Sequence, residues 1–334
     1  MTTITLAPEH YIPPAIRNMA LKQSPGLDRI LRHDPPEFQG QATEWFTSSA
    51  FLDGDLPQAA EYALYQREEY RRLDRTVVGG WLADVIGYVQ DAPWSGEHAA
   101  LLLRMNRTQL TPRLDRLAEL AFADLIHAIE SNNALAFSIS QQSMRELHII
   151  SNDLTVRLIQ DLLTSIKLAE GDEAVVEVLD ISYQHIWKGR YEAWFTMSDL
   201  ERLALSVEGI RGHYGGPDRH GDCVVKDMPE YFEVSFDPCG TGQVMRRGDS
   251  ERESGPYIPL DAVGVASKPA AWNQDTPGMP LYCTHCPVLL EYLPMRDFDT
   301  ILRPVLFNLD PTIPCRWRIP KGVLRPDDHL VAAR

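Results

Sequence analysis

The chain has 334 residues, 44% hydrophobic and 24% charged, the balance of a globular protein with one large or two medium cores. Its formal net charge of −15 argues against a nucleic-acid partner and against an anionic membrane surface, since both require a basic face. No apolar run approaches bilayer length, and residues 1–10 have neither the basic nor the apolar region of a signal peptide, so a cytoplasmic, reducing location is expected.

Residues 1–40 carry Pro8, Pro13, Pro14, Pro25, Pro35 and Pro36 and read as an extended arm that wraps a surface or a partner subunit. Residues 41–205 read as a helical domain. Leu56-Pro57 opens a helix through Ala59–Tyr65, and Gly79-Gly80 is expected to break it before Trp81–Ile86. Another helix is expected from Glu97 through Leu103. Thr111-Pro112 is a start signal, followed by Leu114, Leu117, Ala121, Leu125 and Ala128 on one face. A long helix over 142–170 has Leu147, Ile150, Leu154, Leu158, Leu162 and Ile166 at helical spacing and Gly171 as its C-terminal cap. Trp187, Tyr191 and Trp194 share a helical face and read as a core stripe or a pocket wall. Ser198-Asp199-Leu200-Glu201 has the form of a capping box.

The composition changes near residue 206. The last 129 residues hold 15 of the 24 prolines and 12 of the 21 glycines, so 206–334 reads as a smaller, loop-rich α+β domain with antiparallel strands. Glu230–Phe236 alternates polar and apolar residues and predicts a half-buried strand. Asp237-Pro238-Cys239-Gly240-Thr241-Gly242 predicts a tight turn, and Gln243–Arg247 a returning strand. Residues 248–280 read as a long irregular loop, Pro287 as the start of a short helix, and Cys315–Ile319 as a final strand. The fold class is therefore α+β, a mostly helical first part followed by a smaller, metal-binding second part.

Four of the five cysteines, Cys239, Cys283, Cys286 and Cys315, lie in the last third of the chain, and the fifth, Cys223, is near them. Zinc needs four ligands, usually thiolate and imidazole, and a C-x-x-C run lets one turn offer two of them. Cys283, Cys286 and Cys239 are the leading candidate ligands of a Zn²⁺ ion, with Cys315, His285, His213, His220 and Cys223 competing for the fourth position. Buried packing and thiol redox chemistry are the competing readings of the same cysteines. Pro287 after Cys286 differs from the glycine usual in a zinc knuckle and places Cys286 at a helix start instead. The loop Arg211–Cys223 is polar and glycine-rich, and with the following turn it supplies candidate acid–base groups: His213, His220, Asp222 and Glu230.

Ile210-Arg211-Gly212-His213, Asp237-Pro238-Cys239-Gly240-Thr241-Gly242, Tyr282-Cys283-Thr284-His285-Cys286 and Cys315-Arg316-Trp317 together resemble a pattern in bacterial proteins of the L-2-amino-thiazoline-4-carboxylate hydrolase-like group. The resemblance spans about residues 190–320. In that pattern the Pro-Cys-Gly turn continues Ser-Gly-Gly-Arg, whereas here it continues Thr241-Gly242-Gln243-Val244. The resemblance implies a small-molecule enzyme that opens or hydrolyses a C–N or C–S bond. The expected function is thus a zinc-dependent hydrolase or lyase acting on a small polar or heterocyclic substrate through metal-activated water, in a homodimer. A ligand-sensing or scaffold protein with structural zinc, and a C-x-x-C redox protein, are the alternatives.

Overall fold

The computed structural model describes residues 6–17, 21–24, 27, 29–94, 96, 100, 103, 110–257 and 263–322. The proline-rich start packs against the chain's own helices. A hairpin of β1 (Leu21–Ser24) and β2 (Arg29–Arg32) leads through the short α1 (Pro36–Gln39) into α2 (Thr43–Leu52). The Ile12 N–H donates to Ser49 Oγ at 2.9 Å, the Tyr62 hydroxyl donates to the Arg17 carbonyl at 2.6 Å, and Arg17 pairs with Asp53. Each bond gives a backbone or charged group of the arm a partner that water would otherwise supply.

α3 (Leu56–Arg71) starts where the Asp55 carboxylate accepts from the Gln58 N–H, with Pro57 in its first turn. It does not break at Gly79-Gly80. A wider, π-type turn over Arg72–Val78 joins it to α4 (Gly79–Asp91) without a loop. The two glycines serve packing: a Cβ on Gly79 would lie 2.5 Å from the Asp74 carbonyl oxygen, and one on Gly80 would lie 3.0 Å from Ile186. The helix expected over 97–103 falls mostly outside the described residues.

α5 (Leu110–Glu130) and α6 (Ala134–Glu170) form an antiparallel pair turned at Asn132, which takes a positive φ. Ala121, Leu125 and Ala128 are buried as their spacing predicts, but Leu117 is half exposed. On α6 the buried face is carried by Ile149, Val156, Ile159, Leu162, Leu163 and Ile166, and Ile150 is half exposed. A helix of 37 residues changes neighbours along its length, so no single stripe stays buried from end to end. Gly171, at φ 96°, ends it as expected. α7 (Asp172–Ser182) continues through a second π-type turn, Tyr183–Trp187, into α8 (Lys188–Trp194). α9 (Asp199–Gly212) carries the expected capping box, with the Glu201 N–H donating to Ser198 Oγ and the Ser198 N–H donating to Glu201.

After α9 the chain builds one antiparallel sheet in the order β3 (Val224–Asp227), β4 (Tyr231–Phe236), β6 (Cys315–Pro320), β5 (Val305–Leu306). Strands β4 and β6 are those expected. Gln243–Arg247, expected to return as a strand, is instead the short helix α10 (Gly242–Arg247). Five residues are too few to separate alternation from a helical turn. The Gln243 side chain decides for the helix: its Oε1 accepts from the Cys239 N–H at 2.8 Å and its Nε2 donates to the Pro311 carbonyl at 2.8 Å. α11 (His285–Pro287), a π-type turn over Val288–Tyr292 and α12 (Leu293–Phe298) form one continuous helical segment. Its start at His285 puts Cys286 inside the first turn.

The fold is α+β, mostly helical with two small antiparallel sheets. One hydrophobic cluster runs from Leu31 through Trp81, Ile159 and Val207 to Phe232, Leu289 and Ile319. The helices before residue 206 and the sheet after it therefore share a core. A second cluster, including Phe46, Phe51, Tyr62 and Phe137, joins the arm and α2 to the α5–α6 pair. Among the described residues no helix is long and apolar enough to cross a membrane.

Candidate functional site

Four segments far apart in sequence meet at the end of α9: the His213 loop, the Pro238-Cys239-Gly240 turn, the Cys283–Cys286 run and the start of β6. Their approach depends on two glycines. A Cβ on Gly240 would lie 1.7 Å from the His213 carbonyl oxygen, and one on Gly242 would lie 2.5 Å from Cys283 Sγ. Any side chain at either position would push the Cys239 turn away from its neighbours.

α6 holds both cysteine segments. The Asn152 amide donates to the Gly240 carbonyl at 3.3 Å, and Arg219, paired to Asp153 and Asp249, donates to the same oxygen at 2.7 Å. Just over two turns further on, Gln160 Oε1 accepts from the Tyr282 N–H at 2.7 Å while its Nε2 donates to the Gly264 carbonyl at 2.8 Å. Cys315 enters from the sheet, in register with Phe236 on β4.

The result is a cavity of two lobes. The smaller, of about 40 Å³, is lined by Cys239, Cys283, Cys286 and Cys315 together with His213 and His285. The larger, of about 90 Å³, is walled by Trp81, Trp187 and Tyr191 and carries Arg190 and Arg303. A water occupies roughly 10–15 Å³ on such a measure, so the larger lobe has room for a small molecule of about half a dozen non-hydrogen atoms. His213, His285, Cys286 and Trp317 line both lobes.

The groups at this junction are neutral. Burial lowers His285 to about 4 and His213 to about 3, the latter helped by the positive charges of His285 and Arg219. Both imidazoles are therefore uncharged near neutral pH. His285 Nδ1 lies 2.6 Å from the Tyr282 carbonyl oxygen. A carbonyl only accepts, so the single ring proton sits on Nδ1 and leaves Nε2 as an acceptor. That Nε2 lies 3.4 Å from Cys286 Sγ. His213 Nδ1 is buried with no hydrogen-bond partner among the described residues. Burial also raises the Cys286 and Cys315 thiols well above their ordinary range and pushes Cys283 up to about 12.

The two arginines of the larger lobe have no carboxylate within ion-pairing distance among the described residues. Arg303 is only 8% exposed, lies 5.2 Å from the Trp194 ring and 4.8 Å from the Trp317 ring, and leaves Nε unbonded. Arg190 has Glu208 in its neighbourhood, but Arg29 and Arg72 both take that carboxylate, at 2.6 Å each. Burial, and then the positive charge of Arg29, lower Arg190 to about 10. The lobe thus presents two guanidiniums with no carboxylate ion pair among the described residues, Arg303 facing Tyr191 and Arg190 facing a Glu208 already shared by two other arginines.

The remaining sequence candidates stand outside this cavity. His220 contacts Glu44 and Arg145 and its ring centroid lies 4.4 Å from that of Trp45. Asp222 accepts from the Ala42 N–H at 2.7 Å and from Trp45 Nε1 at 3.0 Å. Both tie the glycine-rich loop to α2 and line neither lobe. Glu230 is exposed at the β3–β4 turn. Cys223 packs against Gly40, with its thiol raised to about 12 by burial. Of the nine residues expected in the site, the structure gathers His213, Cys239, Cys283, His285, Cys286 and Cys315.

The donor types around the smaller lobe are those zinc favours. Among the described residues, however, no three His, Cys, Asp or Glu side chains are arranged as a set that could hold a metal ion. Arg190, Arg303 and Trp81 escaped the sequence reading, which had Trp187 and Tyr191 as a core stripe or a pocket wall. An arginine without a partner looks the same in sequence as one in a salt bridge, and only Trp187, Tyr191 and Trp194 gave a local signal. The chain matches no family model, no curated protein and no solved structure.

Proposed function

We propose that the chain is an enzyme acting on a small, flat, anionic molecule seated in the larger lobe, and that it cleaves a C–N or C–S bond of that molecule. One observation carries this reading: Arg190 and Arg303, without carboxylate partners, share an aromatic-walled cavity with His213, His285 and Cys286. A buried cation left unbalanced is costly, and an anionic ligand removes the cost. Aromatic walls favour a flat ring, and planar guanidiniums favour a carboxylate that accepts two parallel hydrogen bonds. The resemblance to the hydrolase-like group supports the bond type.

The test uses a small heteroaromatic carboxylate and its uncharged primary amide. The carboxylate should bind and raise the melting temperature, and the amide should bind at least about tenfold more weakly, the loss of one charge-assisted hydrogen bond of about 1.5–3 kcal/mol. Arg303→Gln should erase the difference. Equal binding of both compounds to the native chain would remove the anion from the proposal.

Zinc is a second reading, favoured by the four thiols that line one small lobe. Four of Cys239, Cys283, Cys286, Cys315 and His285 would hold it and would have to close in to do so. Elemental analysis of protein purified without chelators should then give about one zinc per chain, and a metal-free chain of full activity would discard the ion.

A further inference from the structure

Cys286 is the only one of the five cysteines that lines the larger lobe as well as the smaller. It is partly exposed to that space, while Cys283 is buried beneath it. Its sulfur faces the acceptor nitrogen of an imidazole whose other nitrogen is held by the Tyr282 carbonyl. Thiol, imidazole and an orienting acceptor, in that order, are the parts of an activated nucleophile. Arg303 lines the same lobe as Cys286. His213, unpartnered at Nδ1, faces the same space.

We propose that Cys286 is a nucleophile, with His285 as its proton acceptor, that attacks the acyl carbon of a small carboxylate-bearing substrate held by Arg303 and Arg190. This rests on the anion reading given above for the position of the substrate, and the thiol–imidazole pair stands on its own geometry.

In the first half of the reaction a bond forms between Cys286 Sγ and the acyl carbon. The thiol proton passes to His285 Nε2, and the carbonyl π pair moves onto oxygen. Collapse of that tetrahedral species breaks the bond to the leaving nitrogen, which takes the proton from His285. In the second half a water attacks the thioester carbon and gives one proton to His285. The C–S bond breaks and Cys286 recovers its proton. The balance is one water consumed per amide-type bond cleaved, with no change of oxidation state.

The thiol and the acceptor nitrogen lie 3.4 Å apart, so the proton can move as the bond to carbon forms. Competitive alkylation of the intact, freshly purified chain by iodoacetate and iodoacetamide, with each adduct located by peptide mass mapping, tests this. An ordinary thiol reacts faster with the neutral amide. Here the adduct should fall first on Cys286, and iodoacetate should outpace iodoacetamide by about tenfold or more, since two guanidiniums concentrate the anion beside the sulfur. His285→Gln should slow both reagents at Cys286. Arg303→Gln should abolish the preference for iodoacetate and Arg303→Lys should keep part of it.

First labelling of Cys239, Cys283 or Cys315, or a Cys286 rate unchanged by His285→Gln, would overturn the nucleophile, and a surviving iodoacetate preference in that result would leave the anion reading intact. Labelling of Cys286 that depends on His285 but favours iodoacetamide would keep the nucleophile and overturn the anion reading. The native chain alone decides the first two comparisons, so neither depends on a variant folding.

Discussion

A single hydrogen atom at two positions sets the geometry of the cavity. Gly242 is the sharper case, because the group in its way is a reactive sulfur. Gly242→Ala should displace Cys283 or the whole turn and cost about 1–3 kcal/mol, as small-to-large changes in a packed interior do. Urea unfolding measures that cost, and an unchanged midpoint would show that the turn gives way freely. Gly240→Ala meets two backbone carbonyls, His213 at 1.7 Å and Tyr214 at 2.3 Å, which cannot rotate aside. Its loss of stability should exceed that of Gly242→Ala. The sequence analysis read this run as a tight turn and did not foresee what its glycines approach, the His213 backbone and the Cys283 sulfur.

At the scale of elements, α6 is the fixed member against which the site is assembled. Asn152 and Gln160 lie eight residues apart, just over two turns, and so present their amides along one side of the helix. One reaches the Cys239 turn, the other the Cys283–Cys286 segment. Gln160→Leu would leave the Tyr282 N–H and the Gly264 carbonyl without their partner in a buried place. We expect a loss of about 1–3 kcal/mol for each group left unsatisfied, read by thermal unfolding, together with faster amide exchange confined to residues 264 and 281–286. Uniform acceleration across the chain would show that the bond has no local role. The helix was visible in the sequence, and the partners of Gln160, 104 and 122 residues away, were not.

For the whole molecule, buried ion pairs fasten the arm and the early helices to α9 and the loop after it. Arg211 on α9 donates to Glu69 on α3 at 2.7 Å and to the Gln39 carbonyl on α1 at 2.8 Å, with both charged side chains almost fully buried. Glu69→Gln would strand the guanidinium and should cost about 3–5 kcal/mol in urea unfolding. A cost under about 1 kcal/mol would mean that Gln39 alone suffices. The Glu44 cluster adds a pH dependence. Burial by itself would raise the Glu44 carboxyl, but Arg145 and His220 outweigh it and hold Glu44 below its usual value of 4.5. A carboxyl depressed in the folded state stabilises the chain above its unfolded pKa, and that contribution fades as pH falls through the folded value. Stability should therefore drop below about pH 4.5, and Glu44→Gln should flatten that drop while lowering stability at pH 7. Parallel pH profiles of the two chains would sink the assignment.

What the sequence determined by itself is what short-range physics fixes. Helix starts at Leu56-Pro57 and Ser198–Glu201, the helix end at Gly171, and the strands β4 and β6 follow from capping, φ preference and alternation within a few residues. The composition change near residue 206 falls inside α9, and the sheet begins only after that helix ends at Gly212. Cys239, Cys283, Cys286, Cys315, His213 and His285 were singled out by residue type and spacing, and the fold brought these six, but not Cys223, to one cavity. Tertiary structure decided everything that depends on which side chains are left without a partner. Arg190 and Arg303 differ from Arg211 and Arg219 in having no carboxylate within ion-pairing distance among the described residues, and His213 differs from His220 in having no Glu44 against its ring. Partnership is a property of distances across the folded chain. For that reason the anion-facing lobe and the Cys286–His285 contact, unlike the helices that carry them, could be read only from the assembled molecule.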